Sequence, residues 1–284
     1  MVAGKLYIVC TPIGNLEDIT LRALRILKEA DLIAAEDTRV TRKLLSHYDI
    51  HTPTTAYHQH SKGRKAAQIA DLLQEGKNVA LVSDAGTPGI SDPGHELIAD
   101  CIERGIDVVF APGANAIVMA LVVSGLPTTH FAFDGFPPRK DSERRAFFQS
   151  LRAEGRTIVL YESPLRLVSF LRAAMEELGD RRAAVLREAT KVFEEVFRGR
   201  ISDAIERFIA RKPRGEVTVV IEGCGVEEQL ERQPSSVEDR LRELIDQGLS
   251  QRDAVRQVAA DLRIPHREAY AAMLRVSGRS PRGV

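Results

Sequence analysis

Cysteine is scarce in this 284-residue chain: Cys10, Cys101 and Cys224 stand far apart with no CxxC pair. That argues against a disulfide framework and a cysteine-rich zinc site. Long apolar runs are missing too, none approaching the roughly 18 residues that span a bilayer. The chain enters a strand-like segment, Leu6 to Cys10, almost at once and shows no signal-peptide pattern. The expectation is a cytoplasmic protein with no membrane segment. Neither sign of charge is in excess, with 40 Lys plus Arg against 40 Asp plus Glu, so any nucleic-acid surface has to be a local patch. There is no GxxxxGK(S/T), no GxGxxG after the first strand, no HExxH and no GxSxG. P-loop, dinucleotide, zincin and serine-hydrolase readings therefore fail, and no metal cage is visible.

What the chain does have is a long loop rich in glycine and proline. Val79-Ala80-Leu81-Val82 reads as a buried strand, and Leu97, Ile98, Cys101 and Ile102 recur at helical spacing. Between them lies Ser83 to Gly94, roughly twice the length of an ordinary connection of about 2–6 residues. Two prolines and three glycines between Gly86 and Gly94 fix a tight course and let the backbone approach a ligand. Similar loops follow two other strand-like runs: Thr11 to Asp18 after Leu6 to Cys10, and Ala111 to Ala116 after Val108 to Phe110. Five strand-then-helix units in about 120 residues predict an α/β fold with a mainly parallel sheet, helices on both faces, and ligands beyond the strands' C-terminal ends. The helix over Ile117 to Val123 is apolar almost all round and is expected to be buried on both sides.

The rhythm changes near Gly125-Leu126-Pro127, which places a domain boundary there: residues 1–124 form the α/β domain and 125–223 a mixed α+β domain. Strands are expected at Phe131 to Phe133, Thr157 to Tyr161, Ala183 to Leu186, Glu195 to Phe197 and Val217 to Ile221. Glu162-Ser163-Pro164 predicts a helix start with Ser163 as N-cap. Residues 224–236 read as a linker, and 237–284 as a small helical, helix-turn-helix-like segment opened by Ser235 and Glu238 as a capping box. From Arg263 to the end that segment carries five Arg against one Glu. It suits either nucleic-acid contact or a small packing bundle.

In order and spacing the three loops resemble the cofactor loops of the tetrapyrrole methylase superfamily, over residues 5 to 223. The finer resemblance is to its branch that methylates the ribose 2'-hydroxyl of a cytidine in 16S rRNA. It is carried by Thr11 to Asp18, Ala35-Glu36-Asp37-Thr38-Arg39, Ser83 to Pro88, Gly135-Phe136-Pro137-Pro138-Arg139-Lys140 and Tyr161-Glu162-Ser163-Pro164. Where many porphyrinoid methylases read Gly-Gly-Asp-Pro, this chain has Ala85-Gly86-Thr87-Pro88, leaving Asp84 or Thr87 to take the missing acid's contacts. The resemblance implies two domains holding S-adenosylmethionine in a trough lined by Ile13, Gly86, Thr87, Ile90, Asn115, Ala116 and Tyr161. It also implies a 16S rRNA or small-subunit substrate and a homodimer.

Methyl transfer to oxygen needs no metal, but a ribose hydroxyl is a poor nucleophile that a carboxylate can assist. Asp37, Glu162 and Glu188 stand at strand ends facing the presumed cleft; each can instead be a helix cap or an ion-pair partner. Arg39, Arg42, Lys43, Arg139, Lys140, Arg187 and Lys191 lie in or beside the same loops and can grip phosphates, or can be solvated surface. His58 and His60 are further substrate candidates or plain loop residues. The competing functions are a porphyrinoid methyltransferase and a ligand-sensing DNA-binding regulator that uses residues 237–284.

Overall fold

The computed structural model describes residues 3–58, 63–225, 237–262 and 264–277. Five short strands, β1 (Leu6–Val9), β2 (Leu32–Ala35), β3 (Thr54–Ala56), β4 (Val79–Val82) and β5 (Val108–Ala111), pair in parallel in the order β3-β2-β4-β1-β5. Successive side chains point to opposite faces, so each face builds its own core. Leu6, Ile8, Val79 and Leu81 bury against Ile69 and Leu73 of α3 (Arg64–Gln74) and Leu97 of α4 (His95–Glu103). Val9, Ile33, Ala80 and Val82 bury against Ile26 and Leu27 of α1 (Leu21–Glu29) and Leu45 of α2 (Thr38–His47). The three long loops leave β4, β1 and β5, which are neighbours in the sheet.

A second five-stranded sheet has the order β6-β7-β10-β8-β9, built from β6 (Phe131–Phe133), β7 (Thr157–Glu162), β8 (Arg182–Arg187), β9 (Glu195–Arg200) and β10 (Val217–Ile221). Only β6 and β7 run parallel. One face, with Ile158, Leu160, Val185 and Val219, packs on Phe148 of α6 (Asp141–Ser150), Phe170 and Leu171 of α7 (Leu167–Leu178) and Phe208 of α8 (Ile201–Ala210). The other face, with Val159, Ala184, Leu186 and Val220, packs on Ile117, Ala120 and Leu121 of α5 (Ala116–Ser124). Both sheets thus lie in one compact unit that ends at Gly223.

Two expectations from sequence are corrected. Helix α5 is buried on its sheet side only, and Val118 and Val122 remain 52% and 66% exposed. Helix α7 starts at Leu167 and not at Ser163, because residues 164–166 turn first and no side chain caps the helix. The Glu162 carboxylate takes the Ser163 N–H instead, at 2.5 Å.

The other unit contains α9 (Val237–Asp246), α10 (Gln251–Asp261) and α11 (His266–Val276), packed around Leu241, Leu244, Val255, Val258, Ala272 and Met273. Ser250 caps α10 by accepting from Asp253 N–H. Most of the expected linker, Ser235 of the capping box, His60, Arg263 and the terminal arginines lie outside the described residues.

Candidate methyl-transfer site

The loops after β1 and β4 are joined by a two-way backbone bridge, Thr11 N–H to the Gly86 carbonyl at 2.9 Å and Gly86 N–H to the Thr11 carbonyl at 3.1 Å. Gly86 has φ +84°, and a Cβ there would stand 3.3 Å from Ile13 Cγ2, so a side chain is disfavoured both by backbone conformation and by space. The loop after β5 is fixed by Asn115, whose Oδ1 accepts from Ile117 and Val118 N–H and so caps α5. Its Nδ2 donates to Thr87 Oγ1 at 3.2 Å, and Thr87 Oγ1 lies 3.4 Å from Cys10 Sγ. Three adjacent strand ends are therefore tied through one threonine hydroxyl.

These loops wall a cavity of about 320 Å³, within the range of small-molecule sites. All seven residues expected around the cofactor line it: Ile13, Gly86, Thr87, Ile90, Asn115 and Ala116 from the first sheet's loops, and Tyr161 from β7. Thr87 lines the cavity, and Asp84, which is exposed, does not. Tyr161 is held by Phe133 and Phe136 at ring-centroid distances of 5.0 and 5.3 Å, and burial pushes its phenol up to about 12. The far wall comes from Gly215 to Thr218 at the start of β10.

Of the three carboxylates expected to act as base, only Glu162 lines the cavity. It is 2% exposed and already accepts from Ser163 N–H and from both Nε and Nη2 of Arg166. Asp37 caps α2 and pairs with Arg39, which holds its carboxyl down at about 2. Glu188, with φ +52°, accepts from Glu216 N–H and Lys191 Nζ, both at 3.0 Å, and its carboxyl is lowered by that backbone bond first. The last two are the cap and ion-pair roles that sequence left open. Among the described residues, no three His, Cys, Asp or Glu side chains form a group that could hold a metal.

Residues 5–205 match the family model for tetrapyrrole (corrin/porphyrin) methylases. The chain belongs to the tetrapyrrole methylase family. It is 46% identical over 95% of its length to a Synechocystis protein named ribosomal RNA small subunit methyltransferase I, covering 98% of that protein. A Bacillus subtilis protein of the same name is 44% identical, with coverage of 95% and 94%. Among solved structures, diphthine synthase matches with TM-score 0.58 at 14% identity, over 80% of this chain and 94% of that one. The Thermus thermophilus uroporphyrin-III-C-methyltransferase matches with TM-score 0.55 at 24% identity, over 76% and 94%. These two show the shared fold.

The basic residues of this methylase divide into two groups. Arg187 pairs with Glu195 at 3.0 Å and Lys191 bridges Glu188 and Glu216, so both are structural. Arg39 pairs with Asp37 but stays open to solvent, and Lys140 makes a 3.4 Å pair with Glu143. Arg42, Lys43 and Arg139 are exposed, with no ion pair among the described residues. His58 is exposed beside Asp92. Sequence reasoning missed two acids. Asp92 lines the cavity, and burial, then the charges of Glu36 and Asp84, push its carboxyl up to about 6. Glu36, at the end of β2, is raised by burial and by Asp84 and Asp37. Asp92 sat in view in the Ser91-Asp92-Pro93-Gly94 run, but nothing in its spacing marked it as facing a cavity.

Proposed function

We propose that this methylase transfers the methyl group of S-adenosylmethionine to the 2'-hydroxyl of a cytidine ribose in 16S rRNA, acting in the cytoplasm on the small ribosomal subunit. The observation that carries the reading is the single cavity in which all seven expected cofactor residues meet. The full-length relatives named for the small-subunit RNA support the substrate. The donor set fits the cofactor: Ile13, Ile90 and Tyr161 offer apolar walls, and Thr87 and Asn115 offer hydrogen bonds. The carboxylate of Asp92 complements a positively charged sulfonium.

When bound, the cofactor supplies an electrophilic methyl group. The chain's own work is alignment of acceptor oxygen with that methyl, and such ordering is worth about 7–11 kcal/mol in favourable cases. Residues 1–124 and 125–223 each supply part of the wall. Arg39, Arg42, Lys43, Arg139 and Lys140 hold the RNA phosphates. The exposed apolar side of α5, with Val118 and Val122, supports a homodimer whose second copy covers it.

The test is to incubate the purified protein with methyl-labelled S-adenosylmethionine and undermethylated small subunits, naked rRNA or a porphyrinoid precursor. Label in a 2'-O-methylcytidine of the RNA is expected. Label in the macrocycle, or none, overturns the reading.

A further inference from the structure

The three strand-end acids that invite a catalytic reading are each engaged, Asp37 by Arg39, Glu188 by Lys191 and the Glu216 N–H, and Glu162 by Arg166 and the Ser163 N–H. Asp92 is different. It lines the cofactor cavity and also the small neighbouring cleft formed by Tyr57, His58, His95 and Glu96. The residue before it, Ser91, takes φ +60°, a left-handed backbone rare outside glycine. Such conformations cost about 1–3 kcal/mol and concentrate at functional sites. The loop thus bears strain where it presents Asp92 to the cavity.

We infer that Asp92 is the proton acceptor for the ribose hydroxyl, a role that rests on the methyl-transfer reading above. The hydroxyl O–H bond breaks and its proton passes to the Asp92 carboxylate. The oxygen forms its bond to the methyl carbon as the C–S bond breaks, and the electron pair of that bond returns to sulfur. A cationic sulfonium and an anionic carboxylate become a neutral thioether and a neutral acid, so charge balances with no further reactant.

The surroundings suit a base near neutrality. Glu36 from the end of β2 and Asp84 from the end of β4 repel the ionised form, the Ser83 side chain favours it, and Tyr161 faces it from β7. His58, His95 and Glu96 flank its other side. The charges that act on its titration, from Glu36 and Asp84, are both negative. An acid raised to about 6 is ionised at pH 7 yet far more basic than a free aspartate. Glu36 is a positioning residue that acts through this repulsion.

The test compares wild type, Asp92→Asn, Asp92→Glu and Glu36→Gln for small-subunit methylation, S-adenosylmethionine affinity and thermal stability against pH. Wild-type kcat should fall below about pH 6. Asp92→Asn should lose about 10²–10⁴-fold in kcat at saturating cofactor, and Asp92→Glu should recover part of the rate. Glu36→Gln should move the inflection to lower pH. Independently of turnover, Asp92→Asn should gain thermal stability over wild type at pH 7.5, and that advantage should shrink as pH falls through about 6 and vanish only below 3.8, because the fold disfavours the ionised carboxylate. A folded Asp92→Asn enzyme that methylates within threefold of wild type overturns the inference. An inactive wild type that binds no S-adenosylmethionine overturns the functional reading instead.

Discussion

Asn115 does two jobs that substitution can separate. Its Oδ1 accepts from two N–H groups at the start of α5, at 3.0 and 3.1 Å, and its Nδ2 holds Thr87 Oγ1 at 3.2 Å. Asn115→Ala removes the cap, worth about 0.5–2 kcal/mol, and the Thr87 bond, worth about 0.5–1.5 kcal/mol. The sum of about 1–3.5 kcal/mol, at roughly 2–4 °C per kcal/mol for a unit of this size, lowers Tm by several degrees. Asn115→Asp keeps the acceptor and adds a negative charge at the helix N-terminus, worth about 0.3–1 kcal/mol, so it should melt close to wild type. Thr87→Ala should fall between the two. Calorimetry of the four proteins, with titration of S-adenosylmethionine, checks the order; Asn115→Ala should also bind the cofactor about tenfold more weakly. If Asn115→Asp melts as low as Asn115→Ala, or Asn115→Ala melts within a degree of wild type, the capping argument fails.

Gly215 has φ +82°, and a Cβ there would stand 1.9 Å from Glu188 Oε1. Gly215→Ala therefore strains the backbone by about 1–2 kcal/mol and displaces a carboxylate with charged hydrogen bonds worth about 1.5–3 kcal/mol; a clear drop in the urea midpoint is expected. Reversing Arg42 and Lys43 to Glu should weaken rRNA binding and flatten its salt dependence, with Tm unchanged, as filter binding from 50 to 200 mM salt would show. The Asp37 carboxyl is lowered from 3.8 to about 2, so its pair with Arg39 contributes above about pH 4 and is lost as pH falls through 2. Asp37→Asn should make the acid limb of Tm against pH shallower in that window.

Periodicity located nearly every strand and helix because each strand of the parallel sheet is a short apolar run and each helix shows a clear face. The cofactor loops were legible through their glycines and prolines, and Ile13, Thr87 and Asn115 followed from family likeness. Partnering was not legible. Asp37, Glu162 and Glu188 are spaced like catalytic acids, yet they are engaged by Arg39, Arg166, Lys191 and Glu216, and of these contacts the one from Glu216, 28 positions from Glu188, depends on tertiary placement. Asp92 was invisible for the converse reason, since its carboxyl is raised by burial first and then by Glu36, 56 positions away in the chain. The outer side of α5 misled because hydrophobicity all round says that a surface is to be covered, without saying by what.

The last strand made, β10, is not at an edge: it sits between β7 and β8 and pairs with both through Val217–Ile221. On the ribosome the second sheet therefore cannot close until synthesis has passed Ile221. Until then β7 and β8 present unpaired edges and the cavity lacks its Gly215 to Thr218 wall. Cofactor capture is tied to an almost finished chain. A nascent or truncated product ending before β10 exposes two sticky strands, which makes it a target for chaperones and a seed for aggregation.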